Sequence, residues 1–203
     1  MKLPVIIISA VAIILGIASA IFMLRPEPVQ LQALTWFGPQ AKSLPGFELT
    51  NHNGETFNNQ SLLGKWNLLF FGYTNCPDIC PDSLQTLSNT VSQINDREVL
   101  EQLQIIFVSI DPARDDLQTL KTYVTYFNPL FMSASAAIEK VKILTEAVGI
   151  LHFIDKSADG SIYNVTHSGA IILVDPQGRY SGVFSAPHES AKLAHDLTGI
   201  INY

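Results

Sequence analysis

Cys76 and Cys80 are the only cysteines in the 203 residues of this chain, four positions apart in Cys76-Pro77-Asp78-Ile79-Cys80. Helical residues at i and i+4 share a face, so the spacing predicts two sulfurs that can meet one metal ion or each other. Upstream, Leu68-Leu69-Phe70-Phe71 and then Gly72 read as a buried strand. Pro77 suits a first helical position, where its missing N–H costs nothing. Thiols so placed feel the positive end of the helix dipole, which favours the thiolate that binds metal or attacks a disulfide. CxxC is the usual thioredoxin spacing; the longer CxxxC leaves room between two soft donors and suits Cu(I). Placing both cysteines on one turn is a poor way merely to fill a core.

Two thiolates do not complete a site for a divalent ion, which turns attention to the five histidines. His167 is the candidate, in Val165-Thr166-His167-Ser168-Gly169-Ala170 at the mouth of an apolar strand. His52 is expected on an exposed hairpin tip, His152 at the end of a short strand, His188 in a loop after a proline and His195 on the outer face of the last helix. Those four read as ordinary histidines.

The elements that must position these groups follow from periodicity. Asn53-Gly54, flanked by Phe47, Leu49 and Phe57, signals a hairpin. Trp66 to Tyr73 and Gln104 to Ile110 are continuous apolar runs of the kind buried in a parallel sheet. Between them Leu84, Leu87, Val91 and Ile94 predict a helix from Pro77 to about Leu100. Asp115 and Asp116 cap a helix carrying Leu117, Leu120 and Val124, and Glu139 to Val148 is another. Ser168 to Val174 is a third apolar strand, turning at Asp175-Pro176-Gln177-Gly178 into Tyr180 to Phe184, and a helix from Ser190 to about Ile200 closes the chain. Strands alternating with helices give an α/β domain, and this order is thioredoxin-like. It places the cysteines at the C-terminal edge of a strand, where open α/β sheets build their sites. The third strand is expected beside the one leading to the dithiol, bringing His167 towards the sulfurs.

Val5 to Leu24 is an almost unbroken apolar run between Lys2 and Arg25, long enough to cross a bilayer. It can stay as a signal anchor or be a signal peptide cut after Ala18-Ser19-Ala20; the apolar residues continuing past Ala20 favour the anchor. The expected organisation is an anchor over 1–24, a tether over 25–44 marked by Pro26, Pro28 and Pro39, and one domain over 45–203. Both uses of the N-terminus export that domain, where a disulfide can persist. A net charge of −6 gives no electrostatic footprint for nucleic acid.

Three motifs together resemble the Sco/SenC family: Phe71-Gly72-Tyr73-Thr74-Asn75-Cys76-Pro77-Asp78-Ile79-Cys80-Pro81, Ser109-Ile110-Asp111-Pro112-Ala113-Arg114-Asp115, and Val165-Thr166-His167-Ser168 with Leu173-Val174-Asp175-Pro176-Gln177-Gly178-Arg179. The resemblance covers about Pro45 to the C-terminus. It implies a thioredoxin-fold copper protein, held at the inner membrane by its N-terminal helix with the domain on the periplasmic side, that helps assemble the CuA centre of cytochrome c oxidase. By position, Cys76 and Cys80 match the family's thiolate ligands and His167 its imidazole ligand, for Cu(I) or Cu(II). Asn75 stands where members often have histidine, and Thr166 where they have aspartate. The second departure bears on the tuning of His167.

Asp78 is a candidate secondary contact to Cu(II) or a partner, with complementing the helix N-terminus as its alternative role. Asp111, Arg114 and Asp115 read as a charge cluster that orders a loop. The implied partners are the oxidase subunit carrying CuA, or another copper-protein client, and an external thiol reductant for a redox-active Cys76–Cys80 disulfide. No catalytic residue is assigned. The alternative is a thiol-disulfide oxidoreductase that reduces a client's cysteines, although the strand opening His167-Ser168-Gly169 lacks the proline thioredoxins place there. A peroxidase with one dominant thiol is a third reading. Only Met1, Met23 and Met132 are present, which excludes a methionine-rich copper carrier.

Overall fold

The computed structural model describes residues 3–23, 29–150, 152–156 and 163–202, with side chains described for 7–8, 11–20, 29–150 and 168–202. The chain divides into two units between Gln30 and Leu31. The first holds helix α1 (Leu3–Met23), 21 residues without a charged side chain. Ile7, Ile8, Val11, Ile13, Ile14, Leu15 and Ile17 are all exposed on it. Among the described residues no helix is long and apolar enough to cross a membrane; within α1 the described side chains are those of 7–8 and 11–20.

The second unit runs β1 (Leu34–Trp36), β2 (Lys42–Ser43), β3 (Glu48–Asn51), β4 (Thr56–Asn58), β5 (Trp66–Gly72), α2 (Ile79–Gln93), α3 (Arg97–Gln102), β6 (Leu103–Ser109) and α4 (Leu117–Phe127). It continues with β7 (Met132–Ser135), α5 (Ile138–Ala147), β8 (His152–Lys156), β9 (Tyr163–His167), β10 (Ile171–Val174), β11 (Arg179–Phe184) and α6 (Ser190–Ile201). The main sheet has the order β1-β11-β10-β5-β6-β7-β3-β4, with β2 also on β11. It is mixed: β5, β6 and β7 are parallel, while β10 runs antiparallel to β5 and lies beside it, the neighbour expected from the thioredoxin-like order; β7 was not foreseen.

Successive strand residues face opposite sides of a sheet, and both sides here are covered. Leu68, Phe70 and Phe107 pack with Leu84, Leu87, Leu120, Leu193 and Leu197 on one side. Leu69, Phe71, Ile106 and Val108 pack on the other with Val141, Leu144 and the hairpin residues Leu49 and Phe57. Strands buried on both faces read as continuous apolar runs, which is why β5 and β6 were legible.

Three expectations change. The helix predicted to reach Leu100 stops at Gln93; buried Ile94 is extended, and Asp96 starts α3 by accepting the N–H groups of Glu98 and Val99. Residues 34–36 and 42–43, expected within the tether, pair with β11. His167 does not open the long apolar strand: it ends β9, which pairs with β8 in a separate two-stranded sheet, and 168–170 lead from it into β10.

The N-terminal segment is tied down by a fully buried carboxylate on α6. Asp196 accepts the backbone N–H of Gln32, at 2.9 and 3.0 Å, and those of Ala33 and Leu34, both at 2.8 Å. Burial alone would push this carboxyl up, but the N–H groups of Ala33, Gln32 and Leu34 and the neighbouring His195 outweigh it and hold it below its ordinary range. A depressed carboxyl contributes stability that is present above the unfolded value of about 4 and is lost as pH falls through the folded value. We expect Asp196→Asn to cost about 2 kcal/mol near neutral pH and to flatten the acid limb of the stability profile. Urea unfolding across the acid range checks this, and an unchanged acid limb would contradict it.

Candidate metal centre

Cys80 lies in the first turn of α2 and Cys76 just before that helix begins. This corrects the expectation of a dithiol on one helical face with Pro77 as the first helical residue. The sulfur of Cys76 instead serves the helix end, accepting the backbone N–H of Cys80 at 3.4 Å. The backbone N–H of Cys76 in turn donates to the carbonyl of Tyr73 at 3.2 Å. Both cysteines are thiols in this structure. Cys80 is fully buried in the α2 side of the core, whereas half-buried Cys76 touches the cores on both sides of the sheet.

The buried sulfur fits because β5 ends in glycine. A Cβ on Gly72 would stand 2.5 Å from Cys80 Sγ and 2.8 Å from Cε2 of buried Phe107. Its hydrogen bond with Cys76, followed by burial, pushes the Cys80 thiol well above the ordinary range. For Cys80 this runs against the expectation that the helix dipole favours a thiolate: the bond with Cys76 and removal from water both favour the neutral thiol. Metal binding at Cys80 therefore has to displace a proton.

The run into Cys76 is fixed from the loop after β6. Asp115 accepts the hydroxyls of Thr74, at 2.6 Å, and Ser109, at 2.7 Å, together with the Thr74 backbone N–H. Burial pushes its carboxyl up against these bonds. Ser109 accepts the N–H of Asp111, Arg114 pairs with Asp111, and the Arg114 guanidinium lies 5.5 Å from the centre of the Tyr73 ring. The loop-ordering role read for these residues is what they perform, except that the helix cap belongs to Asp116 alone, through the Thr119 N–H. Asp78 is exposed at the N-cap position, and its side chain makes no cap hydrogen bond.

The side chain of His167 lies outside the described residues, and so does that of His152, its direct partner in the β8–β9 register. His152 begins β8 rather than ending a strand. Among the described residues no three His, Cys, Asp or Glu side chains gather as a metal cluster. The backbone nevertheless leads His167 to the dithiol loop. A Cβ on Gly169 would sit 2.6 Å from Cδ1 of Ile79, the residue before Cys80. Two residues span at most about 7 Å, which limits the separation of the His167 and Gly169 backbones. Two sulfurs, one in the loop before α2 and one in its first turn, form a donor set that fits a soft ion such as Cu(I). Of the other histidines, His195 is exposed as expected. His52 is half-buried rather than exposed, its Nδ1 2.9 Å from the Ser133 hydroxyl. His188, read as an ordinary loop residue, touches the His167 segment through Gly169.

The family described as SCO1/SenC matches residues 38–202. A protein of Stutzerimonas stutzeri named for copper binding is 38% identical over 164 residues, covering 81% of this chain and 79% of its own. Bradyrhizobium japonicum ScoI, solved with copper bound, is similar at a TM-score of 0.68 and 31% identity over 77% of this chain and 98% of that one. Arabidopsis thaliana ScoI, also solved with copper bound, gives a TM-score of 0.71 and 29% identity over 78% of this chain and 98% of that one. With the topology above, these likenesses establish a thioredoxin-like α/β fold with a mixed sheet and flanking helices.

Proposed function

The chain belongs to the SCO1/SenC family, and from that premise we propose that it binds copper through Cys76, Cys80 and His167 and supports metallation of the CuA centre of cytochrome c oxidase. The observation that carries the ligand set is the packing of Gly169 on Ile79: the chain two residues after His167 rests against the residue that separates Asp78 from Cys80. Copper is the cargo, and its transfer to a client proceeds by exchange of soft ligands. Half-buried Cys76 offers the sulfur that an incoming ligand reaches first.

The apolar character of α1 supports anchoring. A helix apolar on every side finds no favourable surroundings in water, and its exposed isoleucines fit a bilayer. The domain then sits on the exported, periplasmic side, where an external reductant keeps the cysteines available and Asp78 is exposed to a partner. The oxidoreductase alternative gains no specific support from the described residues.

The test is anaerobic titration of the reduced full chain, held in mild detergent, with copper. Wild type should bind an equimolar amount. His167→Ala should keep weak Cu(I) binding through two thiolates but lose the Cu(II) absorption spectrum, since the borderline ion depends more on imidazole. An unchanged Cu(II) spectrum in that variant would remove His167 from the ligand set.

A further inference from the structure

His188 lies in the loop between β11 and α6, where the Ala186–Pro187 peptide bond is cis. Its Nε2 stands 2.6 Å from the carbonyl oxygen of Gly169. A carbonyl only accepts, so Nε2 carries the hydrogen. Nδ1 of the same ring is buried and has no hydrogen-bond partner among the described residues. Burial lowers the pKa of the ring, against the opposing pull of the Gly169 bond. A neutral ring with a bare Nδ1 and a hydrogen on Nε2 is a single tautomer whose N–H is committed to one backbone oxygen.

The recipient of that bond is a wedge. Gly169 is buried, and a Cβ there would lie 2.6 Å from Ile79 Cδ1 and 3.4 Å from Ala186 Cβ. The exit from His167 is thus held between the dithiol helix and the loop carrying His188. Beside that contact, α2 and the loop flank an open groove of about 670 Å³ lined by Ile79, Ser83, Thr86, Pro187 and His188. Close packing along α2 therefore does not by itself dictate the bond to Gly169.

We propose that His188 is a positioning residue for the imidazole donor: its Nε2–H fixes the Gly169 carbonyl, and with it the end of the His167 segment, beside the dithiol loop. The inference rests on His167 being a copper ligand. Because the thiolates stand on a different element, His188 governs the Cu(II) form, in which imidazole matters most, and leaves Cu(I) binding nearly unchanged.

The experiment uses the full chain in detergent with copper as the probe. Groups hydrogen-bonded directly to metal-ligating histidines are worth roughly 10- to 100-fold in affinity, and His188, which acts through the backbone two residues away, falls at the low end of that range. His188→Leu should accordingly bind Cu(II) about tenfold more weakly, with a shifted Cu(II) spectrum, and Cu(I) within about threefold of wild type. His188→Gln, whose amide N–H can reach the same carbonyl, should restore the Cu(II) affinity and spectrum. Nitrogen NMR of the metal-free protein should show His188 as the neutral Nε2–H tautomer near neutral pH, a readout that stands even if the leucine variant fails to fold. Wild-type Cu(II) binding by His188→Leu, equal losses in the Leu and Gln variants, or an Nδ1–H tautomer would each overturn the proposal. Failure of the ligand assignment itself is separate: it shows as an unchanged Cu(II) spectrum in His167→Ala.

Discussion

Cys76→Ser and Cys80→Ser should each lose at least about a hundredfold in Cu(I) affinity, yet they should part company in stability. Structural zinc sites set the scale, with about 3 kcal/mol of apparent binding free energy per ligand, and a hydroxyl is a poor donor to a soft ion. The stability difference comes from where each sulfur sits. Cys76 is half-buried and accepts the Cys80 N–H from two residues before the N-cap position, a bond that a serine hydroxyl can also accept. Cys76→Ser should therefore unfold within about 0.5 kcal/mol of wild type. Cys80 is fully buried against apolar neighbours, and a hydroxyl there should cost about 1–3 kcal/mol. Copper competition titrations and urea unfolding measure the two effects independently. Undiminished Cu(I) affinity in either variant would sink the dithiol site; equal stability losses would contradict the asymmetry.

Gly72→Ala should damage the site without touching a ligand. Its backbone is not in the left-handed region, so the demand for glycine is one of space. The new methyl would lie 2.5 Å from Cys80 Sγ and 2.8 Å from the ring of Phe107. Phe107 is completely buried and cannot retreat, which leaves the sulfur or the strand to move. Overpacking of this kind costs typically about 1–3 kcal/mol, and a displaced donor should lower Cu(I) affinity roughly tenfold. Wild-type affinity and stability in the variant would mean that the close approach of β5 to the sulfur has no role in the site.

Much of the scaffold was legible because its signals are local. Trp66–Gly72 and Leu103–Ser109 announce themselves as runs buried on both faces, and Asn53-Gly54 marks its hairpin directly. What failed depends on distant partners or on equivalent spacings. Leu34–Trp36 is too short to show a period, and its pairing partner, β11, lies far along the chain. The i, i+4 spacing of Cys76 and Cys80 is met equally by a helical turn and by a loop that caps one, so it could not fix where α2 begins. Asp115 and Asp116 look alike in sequence; only folding shows one buried against Thr74 and Ser109 and the other capping α4. Asp196 resembles a surface acid on an amphipathic helix until residues 32–34 come to lie against it. His188 offered no spacing signal, because its partner is a backbone carbonyl nineteen residues away.

The redox dependence of loading tests the central claim most directly. Thiolates bind copper and disulfide sulfurs do so poorly, so a Cys76–Cys80 bridge should close the site, and a reductant reaches it through half-buried Cys76. The full chain in detergent is prepared reduced and oxidised, each form is given an equimolar amount of copper, excess metal is removed by gel filtration, and bound copper is measured. The account predicts nearly stoichiometric copper on the reduced protein and almost none on the oxidised protein. Equal copper on both would contradict it, because the two cysteines would then not be what holds the metal.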